Sequence, residues 1–136
     1  MMSFFEAVRT CMMDKYATFS GRAPRAEYWW FYLFVNLVVL VSVMLMGIAG
    51  LLLSMEITRP MIGWSLLFFG VIVCMSLVIP SISVTIRRLH DTGRSGWWYL
   101  VNFIPYVGGI LLLIFCVLRS DEGENEYGAE WHEGDA

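Results

Sequence analysis

The sequence predicts an all-α, polytopic membrane protein: three transmembrane helices preceded by a short amphipathic N-terminal helix. Two observations carry that expectation. Residues 28–53, 61–86 and 97–118 hold no Asp, Glu, Lys or Arg, giving uncharged runs of 26, 26 and 22 residues. A helix rises about 1.5 Å per residue and the hydrocarbon core of a bilayer is about 30 Å thick, so roughly 20 apolar residues suffice to cross. Composition agrees, with 58% hydrophobic and only 15% charged residues, where a soluble domain carries about a quarter charged. Too few polar residues remain to shield three such runs from water, which excludes a soluble globular core. The expected organisation is a single membrane domain over 1–118 and an acidic, flexible tail over 119–136.

The elements follow in order. Ser3-Phe4-Phe5-Glu6 has capping-box spacing, and Phe4, Val8, Met12, Tyr16 and Phe19 recur at steps of three to four. That pattern predicts an amphipathic helix over about 3–19. It either lies in the membrane interface or packs on the ends of the spans. The 27 mixed-charge residues before the first run are too many for a secretory leader's charged region, so no cleaved signal is expected. Gly21-Arg22-Ala23-Pro24 ends the first helix, and Pro24 suits the start of the next. Tyr28, Trp29 and Trp30 then form an interfacial belt, since an amphipathic ring favours the half-wet headgroup zone. The short 54–60 connection makes spans one and two antiparallel neighbours. Pro80 frees a backbone carbonyl inside span two, with Ser76, Ser81, Ser83 and Thr85 nearby to satisfy it. Span three opens on a second belt, Trp97 and Trp98, and Pro105 with Gly108-Gly109 predicts a bent or broken helix.

The net charge of −3 averages over a strong split. Three crossings would set 21–30 and 87–98 on one membrane surface, and the 54–60 connection with the tail on the other. The first side then holds Arg9, Lys15, Arg22, Arg25, Arg87, Arg88 and Arg94, and the second only Arg59 and Arg119. The positive-inside rule predicts a cytoplasmic N-terminus and a C-terminus outside.

Chemistry, if present, concentrates in Arg87-Arg88-Leu89-His90-Asp91-Thr92-Gly93-Arg94. With Arg22 and Arg25 these arginines form a candidate site for anionic lipid headgroups or a partner, because guanidinium binds phosphate in bidentate fashion. Two other readings stand beside it: arginines that merely flank spans, and internal ion pairs with Glu27 and Asp91. His90 and Asp91 resemble an acid–base pair, but adjacent helical residues diverge and no nucleophile accompanies them. Cys11, Cys74 and Cys116 lack metal-ligand spacing and read as packing residues. His132 reads as solvated. No catalytic residue, cofactor or metal is expected, and no nucleic-acid partner. The expected partners are the lipid bilayer, anionic phospholipid, and a second copy or another membrane protein. An oligomeric transporter or channel subunit is the alternative, weakened by the lack of any ionisable residue inside the runs.

Gly21-Arg22, Arg25, Glu27-Tyr28-Trp29-Trp30, the run from Arg87 to Trp98, and Asn125 with Tyr127-Gly128 together resemble the bacterial domain-of-unknown-function 805 family of small inner-membrane proteins. The resemblance covers roughly residues 3–128. It implies a bacterial inner-membrane location and helical spans, and no established activity, cofactor or catalytic residue. The tail departs from the pattern, with Glu124 and Glu126 flanking Asn125 and acidic residues running on to the end.

Overall fold

The computed structural model describes residues 2–56 and 59–130, whose regular elements are all helices, without a β-strand among the described residues. Helix α1 spans Phe4–Arg9 and continues as a π-helical turn, Thr10–Asp14. The capping box forms as expected. Ser3 Oγ accepts from the Glu6 N–H at 3.3 Å, and the Glu6 carboxylate accepts from the Ser3 N–H at 2.7 Å. Helical geometry stops at Lys15, short of the anticipated 19. Ser83 takes over there, donating to the carbonyls of Lys15 and Thr18. It therefore holds this loop rather than compensating Pro80, while Thr85 donates to Ser81 one turn back.

Helices α2, Arg25–Ser54, and α3, Pro60–Asp91, contain the first two uncharged runs. Only 11% and 17% of their most apolar windows are buried within the protein. The core helix of a soluble protein would be mostly covered, so these surfaces need an apolar solvent. Pro60 occupies the first position of α3, where its missing N–H costs nothing. Residues 57–58 of the connection lie outside the described residues.

Two compact units divide the chain: Leu33–Ile79, and Met1–Tyr32 with Pro80–Ala136. Within the first, α2 and α3 are antiparallel at close range. A Cβ on Gly70 would stand 2.7 Å from Met46 Cγ, and one on Gly63 would stand 2.4 Å from Leu53 Cγ.

The second unit corrects the expected third span. Residues 97–118 are not one helix but a hairpin: a 3₁₀ helix, Gly96–Phe103, then α4, Gly108–Val117. Pro105 and Tyr106, whose φ is +66°, make the turn between them. Gly108 lets the arms meet, since a Cβ there would lie 2.0 Å from the Val101 carbonyl oxygen. Trp98 packs edge-on against Phe115 at 5.6 Å nearer the open end. Eight residues of 3₁₀ helix reach about 16 Å and ten of α-helix about 15 Å. Neither arm matches a hydrocarbon core of about 30 Å. Both ends of the hairpin return to one place. Arg94 N–H bonds the Leu89 carbonyl at 2.9 Å, and Arg88 bonds the carbonyls of Cys116 and Leu118. A single crossing would have separated them.

The described part of the tail packs on the same unit. Residues 118–130 are tied to Arg22, Arg88, His90 and Asp91 by hydrogen bonds. Residues 131–136, His132 included, lie outside the described residues.

Candidate functional site

Helix α3 ends on a Schellman turn. Gly93, with φ +68°, donates to the His90 carbonyl at 3.1 Å while Arg94 reaches Leu89. Other segments bind the remaining carbonyls, which a helix end leaves unpaired. Ala23 N–H bonds Arg87 O at 3.1 Å, Asp121 N–H bonds Asp91 O at 2.8 Å, and Asn125 Nδ2 donates to His90 O at 3.0 Å. The tail sits so close that a Cβ on Gly93 would meet Asp121 Oδ2 at 2.4 Å. A free helix end has become a dock for two distant pieces of chain.

The charges cluster on that dock. Arg87 pairs with Glu27, and Arg88 pairs with Asp91, a residue that also takes Arg22 Nε at 2.9 Å and the Ser120 hydroxyl. All three arginines and both carboxylates are buried. Three cations against two anions leave one positive charge in excess, and backbone carbonyls absorb it. Arg22 donates to Gly123 O and Asp121 O, both at 2.6 Å, and to Gly128 O at 3.3 Å. Arg88 donates to Cys116 O at 3.0 Å, to Ala23 O at 3.4 Å and to Leu118 O. The guanidinium fork, with five donors in one plane, suits this use where a lysine would not. Cys11 completes the Glu27 corner, its Sγ 3.6 Å from the carboxylate. Burial first, and then the Glu27 charge, pushes its thiol up to about 12.

Of the residues singled out in sequence, Arg22, Arg87, Arg88, Glu27 and Asp91 are thus brought together. Their charged groups face inward, which favours the internal ion-pair reading for these three arginines. Arg25 and Arg94 stand apart. Arg25 is exposed, bonds Leu118 O through Nε at 3.2 Å, and shares an open cavity of about 460 Å³ with Arg119, Ser120, Glu122 and Glu130. Arg94 is half-buried, its guanidinium 4.7 Å from the centre of the Phe115 ring. Trp30, Trp97 and Trp98 are exposed and Trp29 is half-buried, whereas Tyr28 is buried against Trp29 and Tyr32 and is no surface anchor. His90 and Asp91 bond different partners, Gly21 O and the arginines, so they form no acid–base pair. Among the described residues, no three His, Cys, Asp or Glu side chains converge as metal ligands.

Sequence reasoning missed Ser120, Asp121 and Tyr127 as parts of this junction. The one available signal was the Asn125–Gly128 run. There Tyr127 N–H bonds Asn125 Oδ1 at 2.9 Å, and Tyr127 stacks on His90 at 4.0 Å with 2° between the rings.

A family model described as "Protein of unknown function (DUF805)" matches residues 16–129. The chain belongs to the DUF805 family. The match covers the buried arginines, both carboxylates and the tail turn, and leaves out Cys11. Two similar relatives come from Escherichia coli strain K12. Inner membrane protein YhaI is 34% identical over 117 residues, covering 86% of this chain and 88% of YhaI. Inner membrane protein YhaH is 32% identical over 127 residues, covering 88% and 91%. No solved structure matches. With two long apolar helices left uncovered by protein, this DUF805 member is an integral inner-membrane protein. Neither the family description nor the relatives' names carry an activity.

Proposed function

We propose that this chain is a non-enzymatic membrane module, with its N-terminal helix and its tail in the cytoplasm, whose exposed arginine and tryptophan rim holds anionic phospholipid headgroups. The observation that carries this reading is the capture of the tail by Arg22 and Arg88. It sets Arg119 beside Arg9, Lys15, Arg22, Arg25, Arg87, Arg88 and Arg94, so eight of the nine basic residues share one side and Arg59 alone is left for the other. Topology follows Lys and Arg rather than net charge, so the acidic tail does not offset this bias. Arg25 next to Trp29 and Trp30, and Arg94 next to Trp97 and Trp98, stand at belt height. Each basic residue near an anionic surface contributes about 1 kcal/mol. Arg22, Arg87 and Arg88 serve the fold instead. The test is native mass spectrometry of the purified chain with phosphatidylglycerol. The combined variant Arg25→Gln, Arg94→Gln, Arg119→Gln should lose the retained lipid while its unfolding temperature holds. Retention equal to the parent would refute the rim as a lipid site.

A second reading, an oligomeric transporter or channel subunit, is supported by the broken 96–117 hairpin. Non-helical backbone at membrane depth occurs where it is buried in protein or lines a cavity. A strictly monomeric state in mild detergent would exclude it, since two crossings and a hairpin enclose too little space alone.

A further inference from the structure

A second cavity, of about 410 Å³, lies near the dock and is lined by none of the arginines. That volume falls in the range of small-molecule sites. Phe19, Ile86, Trp97 and Leu100 give it apolar walls, and His90 stands among them with Ser95 and Tyr99 as the other polar side chains. His90 as a residue is only 8% exposed. Its Nδ1 lies 3.1 Å from the Gly21 carbonyl oxygen. A carbonyl can only accept, so Nδ1 carries the proton, and the neutral ring offers Nε2 as a bare acceptor. Tyr127, stacked at 4.0 Å, fixes the plane of the ring. Nε2 faces Gly96, which lines the same cavity, since a Cβ there would stand 3.5 Å from it. Among the described residues nothing hydrogen-bonds Nε2. An oriented acceptor that opens into a cavity takes its donor from whatever occupies that cavity.

We infer that this cavity binds an apolar molecule that offers a hydroxyl group to His90 Nε2, a chemistry shared by membrane quinols and lipid alcohols. An anion is disfavoured because no cation lines the cavity. A ligand carbonyl could draw a donor only from Ser95 or Tyr99, whereas His90 Nε2 calls for a ligand that donates. Trp97, 78% exposed at the edge of the cavity, marks an entrance at the headgroup belt, where both kinds of molecule reside. The site is independent of the lipid reading above, because Arg25, Arg94 and Arg119 play no part in it.

The experiment uses the full chain in detergent micelles with ¹⁵N-labelled histidine, titrated with menadiol and with dioctanoylglycerol. Each probe is paired with its fully O-methylated ether (the dimethyl ether for menadiol), which lacks any hydroxyl donor. At least one alcohol should shift the His90 Nε2 resonance saturably, and its ether should bind about tenfold more weakly, the worth of one hydrogen bond. Response to menadiol alone assigns a quinol, and response to the glyceride alone assigns a lipid alcohol. Gly96→Leu should abolish the shift by filling the cavity, since even a Cβ would meet Ile86 Cγ2 at 2.9 Å. His90→Phe keeps a ring to stack on Tyr127 but removes the acceptor, and should weaken binding, measured by calorimetry, by about tenfold. Neither alcohol shifting the resonance saturably, or an ether binding as tightly as its alcohol, overturns the proposal on the parent protein alone.

Discussion

Asp91 gathers Arg22, Arg88 and Ser120 onto one buried carboxylate. Replacing Asp91 with Asn keeps its shape but strips two buried guanidinium groups of their counter-charge. Removing one partner of a buried pair costs about 3–5 kcal/mol, because the stranded charge cannot reach water. Unfolding of Asp91→Asn in detergent should show a loss of that order, and Glu27→Gln a similar one through Arg87. Arg119→Gln is the control. Its pair with Glu122 is 4.0 Å long and almost fully exposed, so no measurable change is expected. Cys11 provides a pH-dependent test. The folded state holds the thiol proton up to about 12, against an ordinary thiol value of 9.0. The stability this proton contributes is complete below the unfolded thiol's pKa and is lost as pH rises from about 9 towards 12. Between pH 9 and 11 the parent should therefore lose more stability than Cys11→Ala. The native thiol should also resist iodoacetamide until the chain is unfolded. Equal pH slopes in the two proteins would mean that Cys11 is not buried beside Glu27.

The tail reads as solvated in sequence because seven of its residues are acidic. What binds it is different: its carbonyls, at Leu118, Asp121, Gly123 and Gly128, accept from Arg22 and Arg88. The amides of Asp121, Asn125 and Gly128 are hydrogen-bonded in turn, so their exchange with deuterium should be slowed well below free-chain rates. The double variant Asn125→Ala, Tyr127→Ala removes the bond to His90 O and the ring stack, and should return all three to free-chain exchange. Unprotected amides in the parent would restore a flexible tail. The same contrast explains which elements were legible beforehand. Helices α2 and α3 were, because 26 uncharged residues in a row leave a helix across lipid as the economical solution. So was the capping box, a contact between side chains and backbone three residues apart. The hairpin was legible only in part. Pro105 and Gly108-Gly109 announced a break, but hydropathy cannot separate a bent crossing from a segment that turns back. The deciding contacts were Arg88 to Cys116 O and Leu118 O, and a carbonyl has no residue identity to read. The burial of Tyr28 was not legible for a related reason: an aromatic near a span end suits either a headgroup or a buried corner.

The proposed topology, two crossings instead of three, would change the parity of the whole chain. With three, the tail lies opposite Arg22 and Arg88. With two and a returning hairpin, it lies where the hydrogen bonds of Arg22 require it. Eight basic residues then share the side of the tail and one is left for the connection between α2 and α3, a stronger bias than the seven-to-two division that three crossings give. A fluorescent reporter that matures only in the cytoplasm, fused after Ala136, should therefore glow. Alkaline phosphatase, active only outside, should be silent there and active when fused after Ser54. The opposite pattern at Ala136 alone would restore three crossings. The opposite pattern at both positions would keep the hairpin but invert the molecule, and the basic rim could then no longer face the anionic cytoplasmic leaflet. Coupling this assay to Asp91→Asn separates insertion from folding. Lys and Arg content sets orientation during insertion, so the reporter pattern should survive that substitution even as the protection of the tail amides is lost.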